Sequence, residues 1–172
     1  MKKLKGFTLI ELLVVLGILG ILAAVLLVTI NPIAQLQKGN DARRKSDLEQ
    51  IQRALELYYQ DNGSYPASST DGTFTIMYNN ASVNWGTQWQ PYIATLPKDP
   101  SSTNKYVYYA TSTGQAYYLY ASLQRGGNDP DACNKGDACP EIKNPGGNAG
   151  FPAATACGGT CNYGVSSTNV SP

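Results

Sequence analysis

One glutamate and four cysteines are the residues whose placement could do chemistry. Glu11 lies inside the run Phe7–Ile30, FTLIELLVVLGILGILAAVLLVTI, in which no residue from Leu12 to Val28 is polar. A carboxylate inside an apolar span is expensive, so it normally marks a function and has a partner. Cys133, Cys139, Cys157 and Cys161 form a C-x5-C and a C-x3-C pair. Two disulfides, free thiols and a metal site are all open to them. Zinc prefers shorter loops, and a position outside the cytoplasm favours two disulfides. Among the three connectivities, proximity along the chain favours Cys133–Cys139 with Cys157–Cys161. The chain has no histidine. That removes Ser-His-Asp and Cys-His catalysis, histidine metal sites and the usual proton shuttle at neutral pH. No catalytic constellation remains, and the expected function is non-enzymatic.

The elements that must position these residues begin with the apolar run itself. At ~1.5 Å per residue it spans roughly 36 Å as a helix, enough to cross a ~30 Å hydrocarbon core. Lys2, Lys3 and Lys5 precede it, which keeps the N-terminus in the cytoplasm and exports the rest of a single-pass protein. The run is too long for a cleaved secretory signal, and the flank TINPIAQLQ offers no small-x-small cleavage site. From Ile33 to Asp61 the pattern turns amphipathic. Ile33, Leu36, Leu48, Ile51, Leu55 and Tyr58 lie at helical spacing. Arg43, Arg44, Asp47, Glu49, Gln52, Arg53 and Glu56 occupy the opposite face. Together the two halves predict one helix of roughly 50 residues. Pro32 predicts a kink or local melting near Thr29–Pro32, Gly39-Asn40 a weak point, and Asn62-Gly63 the stop. Arg43-Arg44-Lys45 is interspersed with Asp41, Asp47 and Glu49, and the net charge is only +1. That reads as a solvated helix face, or as contacts to acidic groups on a neighbouring subunit, with no specific nucleic-acid partner.

After the helix comes the loop GSYPASSTDG, then a short strand at Phe74–Tyr78. Trp85, Trp89, Tyr92 and Ile93 are apolar anchors able to cover the helix, and Leu96-Pro97-Lys98-Asp99-Pro100 must be irregular. Tyr106–Thr111 and Gln115–Leu123, joined by Ser112-Thr113-Gly114, read as a hairpin. Tyr117, Leu119, Ala121 and Leu123 face the helix, while Tyr118 and Tyr120 take the other face. The many tyrosines here read as cross-strand packing. The predicted fold class is α+β: a long N-terminal helix, half membrane span and half amphipathic, packed on a small antiparallel sheet. An irregular, cysteine-containing tail follows. The expected divisions are a basic N-terminal segment (1–6), a membrane helix (7–32), an amphipathic helix (33–62), a head with the hairpin (63–123) and a Gly/Pro-rich tail (124–172).

Lys5-Gly6-Phe7-Thr8-Leu9-Ile10-Glu11 resembles the type III signal sequence of type IV pilins and type II secretion pseudopilins. Asp61-Asn62-Gly63-Ser64-Tyr65-Pro66, Pro91-Tyr92-Ile93 and Leu96–Pro100 resemble the head of major pseudopilins, so the likeness covers roughly residues 1–123. The resemblance implies that a prepilin peptidase cuts between Gly6 and Phe7 and methylates the new amine of Phe7. It implies that Glu11 pairs with that amine on a neighbouring subunit during assembly. It further implies a homo-oligomeric helical filament, an inner-membrane assembly platform, and a cytoplasmic-membrane precursor that becomes a periplasmic or extracellular filament. Many members carry a proline 22 residues into the mature chain; here Val28 holds that place and the first proline is Pro32. Many major pseudopilins bind calcium in the loop after their sheet. Asp129, Asp131 and Asp137 are the candidates here, since calcium takes carboxylate and carbonyl oxygens. No other cofactor is expected. The leading expectation is a structural subunit of a type IV pilus-like filament. The alternative is the major pseudopilin of a type II secretion system, and a membrane-anchored surface binding protein is the remote third.

Overall fold

The computed structural model describes residues 6–69, 71–143 and 153–168. The basic residues of the leader, Lys2, Lys3 and Lys5, lie outside them. The chain divides at Gln37/Lys38 into two units.

The first unit is dominated by helix α1, Leu9–Ile30. It stops at Asn31, whose backbone is left-handed at φ 45°. A second helix, α2, begins at once and runs from Pro32 to Asn62. The single helix of about 50 residues is therefore two helices. The cause is local. A residue before proline is pushed out of the right-handed region, and asparagine tolerates the left-handed one. Proline at the first helical position gives up an N–H that the helix does not use. The Asn31 side chain then caps α2, accepting from Ala34 N at 3.2 Å. Gly39-Asn40 does not interrupt α2. Its end falls where the Asn-Gly signal places it, with Gly63 at φ 71° and Gly63 N donating to Tyr59 O at 2.8 Å. Ile33 and Leu36, part of the expected apolar stripe, are exposed.

In the second unit α2 buries Leu48, Ile51, Ala54 and Leu55. They pack against Tyr106, Tyr108, Tyr117, Leu119 and Ala121 of the sheet, with Trp89 and Leu96 closing the core. A small hairpin pairs β1 (Ile76–Tyr78) with β2 (Ala81–Val83). Asn79 and Asn80 between them are both left-handed, as a two-residue hairpin turn matching the strand twist requires. The main sheet has β3 (Val107–Ala110), β4 (Tyr117–Ala121) and β5 (Tyr163–Ser166), all antiparallel, in the order β3-β4-β5. Tyr109 stands opposite Tyr118 and Ala110 opposite Tyr117. Gly114 in the β3–β4 turn has φ 65°, and a Cβ there would press on Ser64 Cβ at 3.1 Å.

The alternation along β4 sorts its side chains as expected, but both faces are buried. Tyr118 and Tyr120 join Val107 in a second core made with Ala138, Cys139, Ile142, Cys157 and Cys161. The tail expected to be irregular thus supplies most of this core, a short helix α3 (Pro140–Lys143) and the third strand. Disulfides join Cys133 to Cys139 and Cys157 to Cys161, with Cα–Cα distances of 4.9 and 5.5 Å.

The expected solvated face of α2 is corrected at several charged residues. Arg44 is wholly buried, and Asp41, Asp47 and Asp99 are nearly so. Arg44 Nε and Nη2 donate to the two carboxylate oxygens of Asp99 at 2.8 and 2.9 Å, and Nη1 donates to Asp41 Oδ1 at 2.8 Å. Asp41 also accepts from Gln124 N and Arg125 N at 2.9 and 2.8 Å. Asp99 accepts from Ser101 N at 2.8 Å. Asp47 accepts from the Tyr106 hydroxyl at 2.6 Å; burial first, and then this carboxylate, push the phenol well above its ordinary pKa. The acidic partners of Arg44 are therefore in its own chain. Replacing Arg44 with Met should destabilise the folded state by about 3–5 kcal/mol, because Asp41 and Asp99 would be left buried without their counter-charge. Exposed Arg43→Ala should cost about 0.5 kcal/mol or less. Denaturant unfolding of the full chain in detergent measures both, and equal midpoints for the two variants would contradict this account of Arg44.

Candidate functional site

The candidate assembly site is the start of α1. Gly6 and Phe7 precede the helix, and Phe7 is exposed. Thr8 is the N-cap and Glu11 the third helical residue. Glu11 N donates to Thr8 Oγ1 at 3.3 Å. In return Glu11 Oε2 accepts from Thr8 N at 2.9 Å and from Thr8 Oγ1 at 2.7 Å. This is a complete capping box, which satisfies two helix N-terminal donors reciprocally. The box also folds the carboxylate back toward Phe7, one helical turn away, where the positive end of the helix dipole favours negative charge. Thr8 was not singled out as a functional residue in the sequence, although Thr-x-x-Glu is the recognised capping-box spacing.

From Leu12 to Leu26 the helix offers apolar surface. Leu13, Leu16, Ile18, Ile21 and Leu26 are all more than half exposed. Leu9–Leu26 is long and apolar enough to cross a membrane. Such a cylinder must be covered by lipid or by other helices, since contiguous exposed apolar surface of this extent marks a membrane or protein interface.

The calcium candidates meet a different partner. Lys45 Nζ donates to Asp129 Oδ1 at 2.6 Å and to Asp131 Oδ2 at 2.7 Å, and it lies 5.5 Å from the centre of the Tyr163 ring. Asp137 instead accepts from Ala138 N at 2.8 Å. Among the described residues no three acidic, histidine or cysteine side chains are grouped to hold a metal ion. The loop does not fit calcium as it stands, because an ammonium fills the space between its two convergent carboxylates. Lys45 is thus corrected from solvated face to half-buried loop anchor.

This pair sets a pH dependence. Burial pushes the Asp129 carboxyl up, but Lys45 and the Asp131 N–H outweigh it and hold the group below the usual carboxylate range. Burial likewise opposes the Lys45 charge, and the two carboxylates outweigh it, raising the ammonium pKa. A depressed carboxyl contributes stability above its unfolded pKa of about 3.9 and loses it as pH falls through the folded value. A raised ammonium contributes fully below about 10.4 and loses it as pH rises through its folded value. The gap in unfolding temperature between the wild type and Asp129→Asn should therefore be constant at neutral pH and shrink toward zero below about pH 3.9. Thermal melts of both chains across that range test it, and a gap that widens in acid would reverse the assignment.

The comparisons with known proteins agree with this geometry. The prokaryotic N-terminal methylation motif matches residues 1–27, the class defined by an apolar helix beginning just after a Gly-Phe junction. A second family model, type II secretion system protein G, matches residues 31–138. The chain belongs to the type II secretion system protein G family. The type II secretion system core protein G of Pseudomonas aeruginosa is 37% identical over 134 residues, covering 74% of this chain and 90% of that one. The protein of the same name from Vibrio cholerae is 34% identical, covering 77% and 90%. The type IV wide pilus major component PilA4 of Thermus thermophilus is 32% identical, covering 73% and 87%. No solved structure matches the chain.

Proposed function

We propose that the chain is a structural, non-enzymatic subunit of a type IV pilus-like filament, in the form of the pseudopilus of a type II secretion system. The observation that carries this reading is an uncovered apolar helix, α1, whose one carboxylate sits at its first turn beside the Gly6-Phe7 junction. A prepilin peptidase cuts after Gly6 and methylates Phe7. The precursor waits in the cytoplasmic membrane with its N-terminus inside. An inner-membrane platform then moves subunits into a homo-oligomeric helical filament whose core is α1.

Glu11 gives the transfer its direction. Among the described residues its carboxylate accepts from Thr8 N and Thr8 Oγ1, which carry no full charge. Beside a neighbour's Phe7 it gains a full counter-charge, and paired charges cost far less in an apolar medium than separate ones. Membership of the protein G family supports the secretion form. The wide-pilus relative from Thermus thermophilus supports a second form, a surface pilus built by the same helix packing.

Two outcomes test the proposal. Intact mass spectrometry of filaments should show a chain that begins at N-methylated Phe7; one still beginning at Met1 would sink the processing step. Glu11→Val, expressed as the sole copy, should accumulate in the membrane fraction while fibre yield drops by orders of magnitude. Normal fibres from that variant would make Glu11 a tolerated interfacial residue. Electron microscopy with an assay of secreted protein in a deletion strain separates the two forms.

A further inference from the structure

We propose that Lys45 is the resident cation of the loop after β4, an ammonium standing where a divalent ion would otherwise sit, so that this subunit holds its loop without calcium. The observation is the convergence of Asp129 Oδ1 and Asp131 Oδ2 on one nitrogen, at 2.6 and 2.7 Å. Asp131 N also donates to Asp129 Oδ1 at 3.0 Å, which locks the two carboxylates into one turn. Calcium needs six to eight oxygens at about 2.3–2.6 Å. Here the point of convergence is filled by a like charge, the Tyr163 ring lies beside it rather than an oxygen, and Asp137 is engaged elsewhere.

The rest of the loop is fixed by protein groups as well. One turn earlier on α2, Asp41 accepts from Gln124 N and Arg125 N, so the helix grips the loop at its entry as Lys45 grips it at its exit. At Gly126, between the grips, and at Gly136, beyond them, the backbone is packed too closely for a side chain. A Cβ on Gly126 would lie 2.3 Å from Asn162 Nδ2, and one on Gly136 would lie 2.5 Å from Gly127 N. Asn162 in turn accepts from Leu123 N at 2.7 Å and donates to Leu123 O at 3.1 Å. Helix, loop and strand β5 are thus joined through Lys45 by charge and by ring contact. Stability of the head, and assembly with it, then does not follow the external calcium concentration. This holds for either form of filament.

The test uses the full-length chain in detergent. Wild-type unfolding temperature should be the same in calcium chloride and in excess EDTA, and calorimetric titration with calcium chloride should give no binding heat. Lys45→Met should melt a few degrees lower, Lys45→Arg should recover most of that loss, and Asp129→Asn should add little to Lys45→Met because both remove the same interaction. A wild-type melting temperature that rises with calcium, or falls with EDTA, would overturn the proposal. So would a Lys45→Met chain that melts with the wild type. The wild-type arms keep the proposal testable even where a variant fails to fold.

Discussion

The head is organised around one buried cation. Arg44 has no exposed surface and is held by two carboxylates, Asp99 in an irregular segment and Asp41 one turn back on its own helix. A buried guanidinium is tolerable only when its planar fork is met by matching acceptors. That demand fixes the rotation of α2 and brings Leu48, Ile51 and Leu55 onto the sheet. It also anchors the Leu96–Pro100 segment, which forms no helix or strand and is otherwise tied at Leu96, whose N–H donates to Thr87 O and whose carbonyl accepts from Gly86 N. Because Asp41 accepts from Gln124 N and Arg125 N as well, the same charge reaches the chain just after β4. Helix, irregular segment and loop therefore share one electrostatic joint.

Around that joint the protein builds two apolar cores on the two faces of a single strand. β4 is buried along its whole length. One face meets α2, and the other meets the two disulfide-bonded segments of the tail. A sheet this small, with one face bare, would leave Tyr118 and Tyr120 in water. The cysteine-rich tail removes that surface with few large side chains, because cystine sulfurs and tyrosine rings are themselves apolar cover.

Much of this was legible in the residues, and the illegible parts share a cause. The apolar run, the Leu48-Ile51-Leu55 stripe, the Asn62-Gly63 stop and the β3–β4 hairpin are written in local periodicity and turn chemistry, and the folded chain follows them. The signature of Gly6, Phe7 and Glu11 is equally local. Arg44 and Lys45 were not readable, because a charged residue on a helix looks solvated until its partner is placed, and Asp99 and Asp129 are remote in sequence. Strand β5 was hidden because Tyr163-Gly164-Val165-Ser166 is too short to establish a period and carries a glycine. The break at Asn31 was foreshadowed by Pro32, yet proline's usual kink became a clean end because asparagine could take the left-handed conformation.

The position of β5 has a bearing on how the head comes to be folded. Its partner β4 is read out long before it, and Leu119 must wait for Val165 to complete the register. Contacts of such sequence separation form late and slowly. A chain that emerges residue by residue from its N-terminal side, as in synthesis, thus presents the hairpin first and the closing strand last. Until then the β4 edge is open, and an open edge is a template for stray pairing. Emergence of the chain and closure of the sheet are in this way coupled in time, and the two short disulfide loops, each closing within a few residues, precede the final strand along the chain.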